Sequence, residues 1–161
     1  MTAVRTQIVQ AIAAALEDVS IIGHVAEPSK RDPIEEENII KVISEGQAYV
    51  ELGVGGDEPG QEHQDIVKKT FPITAICHLP DNPPDGVSHL EFAGQVYGAI
   101  VALLVDPNDQ SVGRWGDLAE QSIDQGGGGV GLDPGGMDTL VTVVHFDVIY
   151  RHTLGDVEAV R

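Results

Sequence analysis

Apolar residues recur at spacings of three and four near the start of the chain. Val4, Ile8, Ile12, Ala15, Leu16 and Val19 fall on one side, and Arg5, Gln7, Gln10 and Glu17 mostly on the other. This period predicts an amphipathic helix ending near Val19. Residues 26 to 37, AEPSKRDPIEEE, combine prolines with dense charge and predict a solvated loop. Two short apolar runs follow, around Ile39 to Ile43 and around Ala48 to Val54; in the second, Ala48, Val50, Leu52 and Val54 alternate with Tyr49, Glu51 and Gly53, the pattern of a strand with one apolar face. Residues 55 to 64, GGDEPGQEHQ, predict a long exposed hairpin loop. The next strand carries Val67, Phe71, Ile73, Ala75, Cys77 and Leu79 on one face. Pro72 has no N–H to give to a ladder, which favours an edge strand or a bulge there.

The segment PDNPPDG ends that strand, and Ser88 with Glu91 three positions on supplies the spacing of a capping box. A helix then follows with a stripe of Leu90, Ala93, Tyr97, Ile100, Val101 and Leu104, stopped by Asp106-Pro107. After a weakly patterned piece containing Trp115, Leu118 and Ile123 comes the glycine-rich run DQGGGGVGLDPGG and a long final strand. Leu140, Thr142, Val144, Phe146, Val148 and Tyr150 share one face of that strand. Strands follow one another too closely for regular crossover helices. The pattern therefore predicts a single α+β domain over residues 1 to 161, a mostly antiparallel β-sheet with two main helices packed on one face.

Composition narrows the function more than the fold. The 26 acidic and 9 basic residues among 161 give a formal charge of -17, which argues against neutralising nucleic-acid phosphates or docking on an anionic membrane. No run approaches the roughly 18 apolar residues of a membrane span. Cys77 is the only cysteine, so neither an internal disulfide nor a thiolate zinc cluster can form, and folding in a reducing cytoplasm fits.

Candidate chemistry fails on context. Gly126, Gly128 and Gly131 satisfy the spacing G-x-G-x-x-G, but Asp133-Pro134-Gly135-Gly136 follows, where a phosphate-binding turn needs a helix. Gly128 to Asp133 also match the first six positions of a calcium-binding nonapeptide, which works by stacking many copies; this chain has one. His145 and Asp147 project from one strand face without a nameable third metal ligand. Cys77 lies on the apolar face of its strand and reads as a small buried thiol. Nothing here predicts an enzyme, a cofactor or a metal.

The order of elements, the helix LEFAGQVYGAIVALLVDP with its Asp-Pro stop, the glycine-rich connector and the closing F-x-V-x-Y strand of Phe146, Val148 and Tyr150 together resemble something specific. They resemble the tail terminator proteins of long-tailed bacteriophages, the minor tail protein U-like and tail-to-head joining family. The resemblance spans most of the chain through loose motifs, and no functional residue carries across. It implies a non-enzymatic virion subunit at the tail-neck junction: a homo-oligomer, a hexameric ring, that caps the tail tube and meets the tail tube protein on one side and the neck or head-completion connector on the other. DNA would pass through the ring without specific binding, repelled by any acids lining the bore. A neck or tail tube protein of the same machinery, or a small acidic bacterial binding domain, are the other readings. Loops 25 to 37, 55 to 64 and 125 to 138 are the expected sources of protein contacts, with Asp57, Glu58, Glu62, Gly128, Gly131 and Asp133 as the candidate interface residues.

Overall fold

A computed structural model describes residues 3–27, 35–58, 62–63, 66–153 and 156–160. In chain order the elements are α1 (Val4–Glu17), β1 (Ile22–Ala26), α2 (Glu35–Ser44), β2 (Ala48–Val54), β3 (Glu62–His63), β4 (Ile66–His78), a 3-10 turn (Pro84–Gly86), α3 (His89–Leu104), β5 (Gln121–Asp124), β6 (Gly131–Leu132), β7 (Leu140–Thr153) and β8 (Asp156–Val160). The strands form one sheet with the path β1-β2-β4-β7-β5, in which β3 adds to β4, and β6 and β8 add to β7. Among the described residues only β1 and β2 run parallel; the other pairings are antiparallel. The fold is α+β, with a mostly antiparallel sheet.

The register explains which residues are buried, because directly paired residues share a face. Val50, Cys77 and Thr142 lie in one row, Leu52, Ala75 and Val144 in the next, then Val54, Ile73 and Phe146, then Phe71 and Val148. Against this face α1 packs Val4, Ile8, Ile12, Ala13 and Leu16, and α3 packs Phe92, Ala93, Val96, Ile100 and Leu104, in one continuous core. All three phenylalanines of an aromatic-poor chain are spent there, each fully buried. Full burial of each stabilises the fold by about 1.5–3 kcal/mol.

The other face of the sheet holds α2, whose Ile39 and Ile43 close over Tyr49. This corrects the end of the expected loop over 26 to 37, which is already helical from Glu35, and gives the apolar run at Ile39 to Ile43 its element, the same helix. Ile39 and Ile43, one turn apart, supply its buried side, while Glu36 and Glu37 sit at its N-terminal end, where the helix dipole favours them. Residues 28 to 34 of that predicted loop lie outside the described residues. The two main helices share one face as expected; the third covers part of the opposite one.

Further differences are local. The first helix ends at Glu17 and not near Val19, which precedes the turn into β1. Pro72 sits inside β4, with β7 on one side and β2 on the other. Its carbonyl accepts from Gly55 N–H at 2.9 Å, just past the end of β2 at Val54, so the edge that lacks a donor is the one β2 is leaving. The predicted helix at Ser88 is present, and the Ser88 hydroxyl accepts from Glu91 N–H at 3.1 Å. Leu90, assigned above to its buried stripe, is 64% exposed, and Phe92 and Val96 take the inner positions. The chain also continues beyond its long strand into β8, which pairs back on β7.

Candidate functional site

The six interface candidates divide between the two ends of the sheet. Asp57, Glu58 and Glu62 lie near the start of β4: Glu58 N–H donates to Thr70 O at 2.8 Å, and Glu62 pairs with Val67. The segment therefore folds back along β4 where a long exposed loop was expected. Gly131 pairs with Val141 at the other end of β7, and Asp133 organises the turn beyond it. Its carboxylate accepts from Gly135 and Met137 N–H, both at 3.0 Å. Val141 and His152, the β7 residues nearest the two groups, are separated by about 35 Å of strand. No single patch contains all six.

The glycine-rich run is tied to its surroundings along much of its length, unlike the free connector its composition suggests. Gln125 N–H donates to His145 O and His145 N–H to Gly126 O, which prolongs the β5–β7 ladder. Asp124 accepts from the Gly126 N–H and from the Tyr97 hydroxyl of α3. That contact to a carboxylate raises the Tyr97 pKa. The chain then passes so close to α3 that a side chain on Gly127 would meet the Tyr97 ring at 2.9 Å, and Gly128, at φ +87°, also lies against that ring. Glycine is required here for close approach and not for a ligand. A strand, β6, follows where a phosphate-binding turn would need a helix.

One constellation has the look of a catalytic relay. His78 Nε2 lies 3.1 Å from Glu51 Oε2, and His78 Nδ1 lies 2.9 Å from Thr139 Oγ1. A carboxylate can only accept, so Nε2–H donates to Glu51; Nδ1 then accepts from the Thr139 hydroxyl in a neutral ring and donates to it in a protonated one. Yet His78 is fully buried and Thr139 is 8% exposed, which leaves the hydroxyl no approach for a substrate. The three side chains pin the start of β7 to β2 and β4. His145 and Asp147 are engaged separately, with Thr74 Oγ1 at 3.2 Å and Gln125 Nε2 at 3.1 Å. Among the described residues no group of three or more His, Cys, Asp or Glu is placed to hold a metal ion. Burial pushes the Cys77 thiol up to about 12, so it stays protonated.

Two surfaces that the sequence did not single out are more informative. The first is a cleft of about 280 Å³ lined by Ala3, Arg5, Thr6, Asp57, Lys69 and Tyr150. Arg5 pairs with Asp57 at 3.4 Å while its guanidinium lies 5.6 Å from the Phe71 ring centre, and the Tyr150 hydroxyl donates to the same carboxylate at 3.2 Å. Burial and the Asp57 charge push Tyr150 up to about 12, keeping it a donor. The sequence signal for this site was the Lys68-Lys69 pair opening β4, after which no Lys or Arg occurs until Arg114.

The second is the outer side of α3. Leu90, Gly94, Gly98 and Ala102 follow one another at intervals of four, all exposed, and Val105 continues the side at 55% exposure. A side chain built on Gly94 or Gly98 would meet nothing within 4 Å. The result is a shallow apolar strip with small residues in the middle and larger ones at its ends.

No family model matches the chain, and no curated protein matches it.

Proposed function

We propose that this chain is a phage tail terminator, a subunit of a hexameric ring that caps the tail tube, ends its polymerisation and joins the tail to the head-neck connector. The observation that carries an assembly role is the outer side of α3. Each glycine inside a helix costs about 0.5–1 kcal/mol relative to alanine. Gly94 and Gly98 incur that cost with no described residue using the space they leave. A neighbouring subunit packed on the strip would use it, since small residues let two elements approach closely while Leu90 and Val105 bury their exposed area.

Closed rings require two different complementary patches on each subunit, which suits a monomer whose surfaces differ from end to end. Strong acidity suits a ring that DNA must cross: carboxylates near the bore repel phosphates, and within a Debye length of about 8 Å they do so at physiological salt. The virion reading rests on the family resemblance of the element order and on this assembly surface.

Gly98→Leu is the direct test. The isolated variant should melt at or above the wild-type temperature, because the position is open and leucine is the better helix former. It should nevertheless fail to form closed rings or to cap purified tail tubes, scored by negative-stain imaging. Unchanged rings and capping would remove α3 from the assembly. Wild-type protein that neither closes into rings nor caps tubes would remove the proposed function, and growth into open tubes would mark a tube subunit instead.

A further inference from the structure

Among the described residues β6 (Gly131–Leu132) pairs with β7 on one side and with no strand on the other. Gly131 faces Val141, Leu132 faces Leu140, and Asp133 N–H donates to Thr139 O one step on. Successive residues of an antiparallel ladder alternate between bonding the partner strand and pointing away from it. Gly131 and Asp133 therefore turn their backbone groups to β7, and Leu132 turns its own outward. The opposite residue agrees, since Leu140 O accepts from Leu79 N–H on the far side of β7.

Side chains do not shield this edge. Leu132 is 76% exposed, Val130 is exposed too, and a side chain on Gly129 or Gly131 would meet nothing within 4 Å. Lysine and proline, common guards of a sheet edge, are absent from Gly129-Val130-Gly131-Leu132. The surrounding charge has one sign. Residues 115 to 150 hold six carboxylates and no Lys or Arg, and residues 70 to 113 hold five and none. Asp81, Asp85, Glu91 and Asp138 stand exposed at the end of the sheet that carries β6, and Asp133 follows it directly. The helix α2, reached through Met137, brings Lys41 to this end, against exposed Glu36, Glu37 and Glu45.

We propose that the outer edge of β6 binds an extended, lysine- or arginine-bearing segment of a different protein by strand addition. Its backbone pairs with Leu132, its apolar side chains cover Val130 and Leu132, and the carboxylates select its charge. A second copy is a poorer occupant. Its Lys68, Lys69 and Arg151 lie in strands within the sheet, Arg5 and Lys41 in helices and Arg114 in a turn, so its described residues offer no free basic strand. A nucleic-acid phosphate would be repelled by the same carboxylates. The edge is separate from the α3 strip, so the inference holds or fails independently of the ring.

Titrating the full chain, labelled with 15N, with an acetylated heptapeptide of alternating lysine and valine at about 0.05 M salt tests it. Amide shifts should centre on residues 130 to 133, and exchange of the Leu132 amide should slow at least about tenfold in the complex. The same peptide N-methylated at every residue keeps its charge and side chains but has no N–H to give, and should bind at least about tenfold more weakly. A glutamate and valine counterpart should not bind. Asp138→Lys, at an exposed position, should weaken binding about threefold or more. Equal binding of the N-methylated peptide would reduce the contact to general attraction of a cation and overturn the inference, as would shifts centred elsewhere or no binding. Leu132 protection that grows with protein concentration in the absence of peptide would make the occupant a second copy and overturn it as well. Loss of ring closure or tube capping bears on the proposed function and not on this edge.

Discussion

Gly113 and Gly116 lie three residues apart in the same connection, both with left-handed backbone, at φ +81° and +69°. Alanine at either should cost about 1–2 kcal/mol for forcing an L-residue into that region. Their surroundings differ. A side chain on Gly116 meets nothing within 4 Å, whereas one on Gly113 would land on the backbone carbonyl of Leu104, the last residue of α3. Backbone cannot swing aside, so the loop must move. The Gly113 carbonyl then loses the Ser122 hydroxyl, now donating at 2.7 Å, and Ser122 in turn loses its place beneath Trp115 Nε1 at 2.9 Å. At about 1 kcal/mol for each net hydrogen bond, Gly113→Ala should cost about 3–5 kcal/mol and Gly116→Ala about 1–2. The larger figure is a substantial part of the roughly 5–15 kcal/mol that holds a domain together. Urea unfolding followed by fluorescence suits the comparison, because Trp115 is the only tryptophan and sits at the perturbed site. The Gly113→Ala midpoint should fall by more than about 1 M at unchanged slope. Equal losses for the two variants would refute the steric argument and leave only the backbone one.

Two further predictions concern the helix cap and the alkaline limit. Ser88→Ala removes the acceptor for Glu91 N–H and should lower stability by about 0.5–2 kcal/mol in the same unfolding assay, with Ser88→Asp restoring most of it. Tyr150 and Cys77 both have folded pKa values raised to about 12, from 10.0 and 9.0, so the folded state holds their protons more tightly than the unfolded one. The stability this provides is complete below pH 9 and is lost as pH rises from about 9 to 12. Unfolding midpoints should drop across that window, Tyr150→Phe should flatten the part above pH 10, and Cys77 should resist thiol reagents at pH 8 until the protein is unfolded.

Periodicity revealed the elements whose partners are predictable from one side. The alternation of Ala48 to Val54 and of Phe71 to Cys77 and the stripe of α1 survive in the fold because each turns one apolar face to the same core, and Ser88 caps α3 as its spacing predicts. The reading failed where a second layer intervenes. Ile39 and Ile43 are too few to define a period alone, and only α2 closing over Tyr49 gives them a shared face. Leu90 satisfies the spacing of the buried stripe but lies on the side of α3 that the chain leaves open. Pro72 was misleading because a strand central in the sheet can still be an edge over the residues where one neighbour has ended. Of the candidate site, Asp57 alone belongs to the charged cleft; Arg5, Lys69 and Tyr150 meet it across three separate elements, a juxtaposition no local pattern encodes.

The pairing of β7 has a consequence for how the protein is made. Strands β4, β5, β6 and β8 all pair with it, and its partners in β4 lie about sixty to ninety residues earlier in the chain. A ribosome delivering about 5–20 residues per second therefore exposes the length of β4 as an unpaired edge for several seconds before β7 emerges. Lys68 and Lys69 at the head of that edge, and Pro72 within it, are the residue types that discourage strands of other chains from joining it. The long ladder that closes the sheet is thus a late event in synthesis, and the nascent chain is guarded in the meantime by its own sequence.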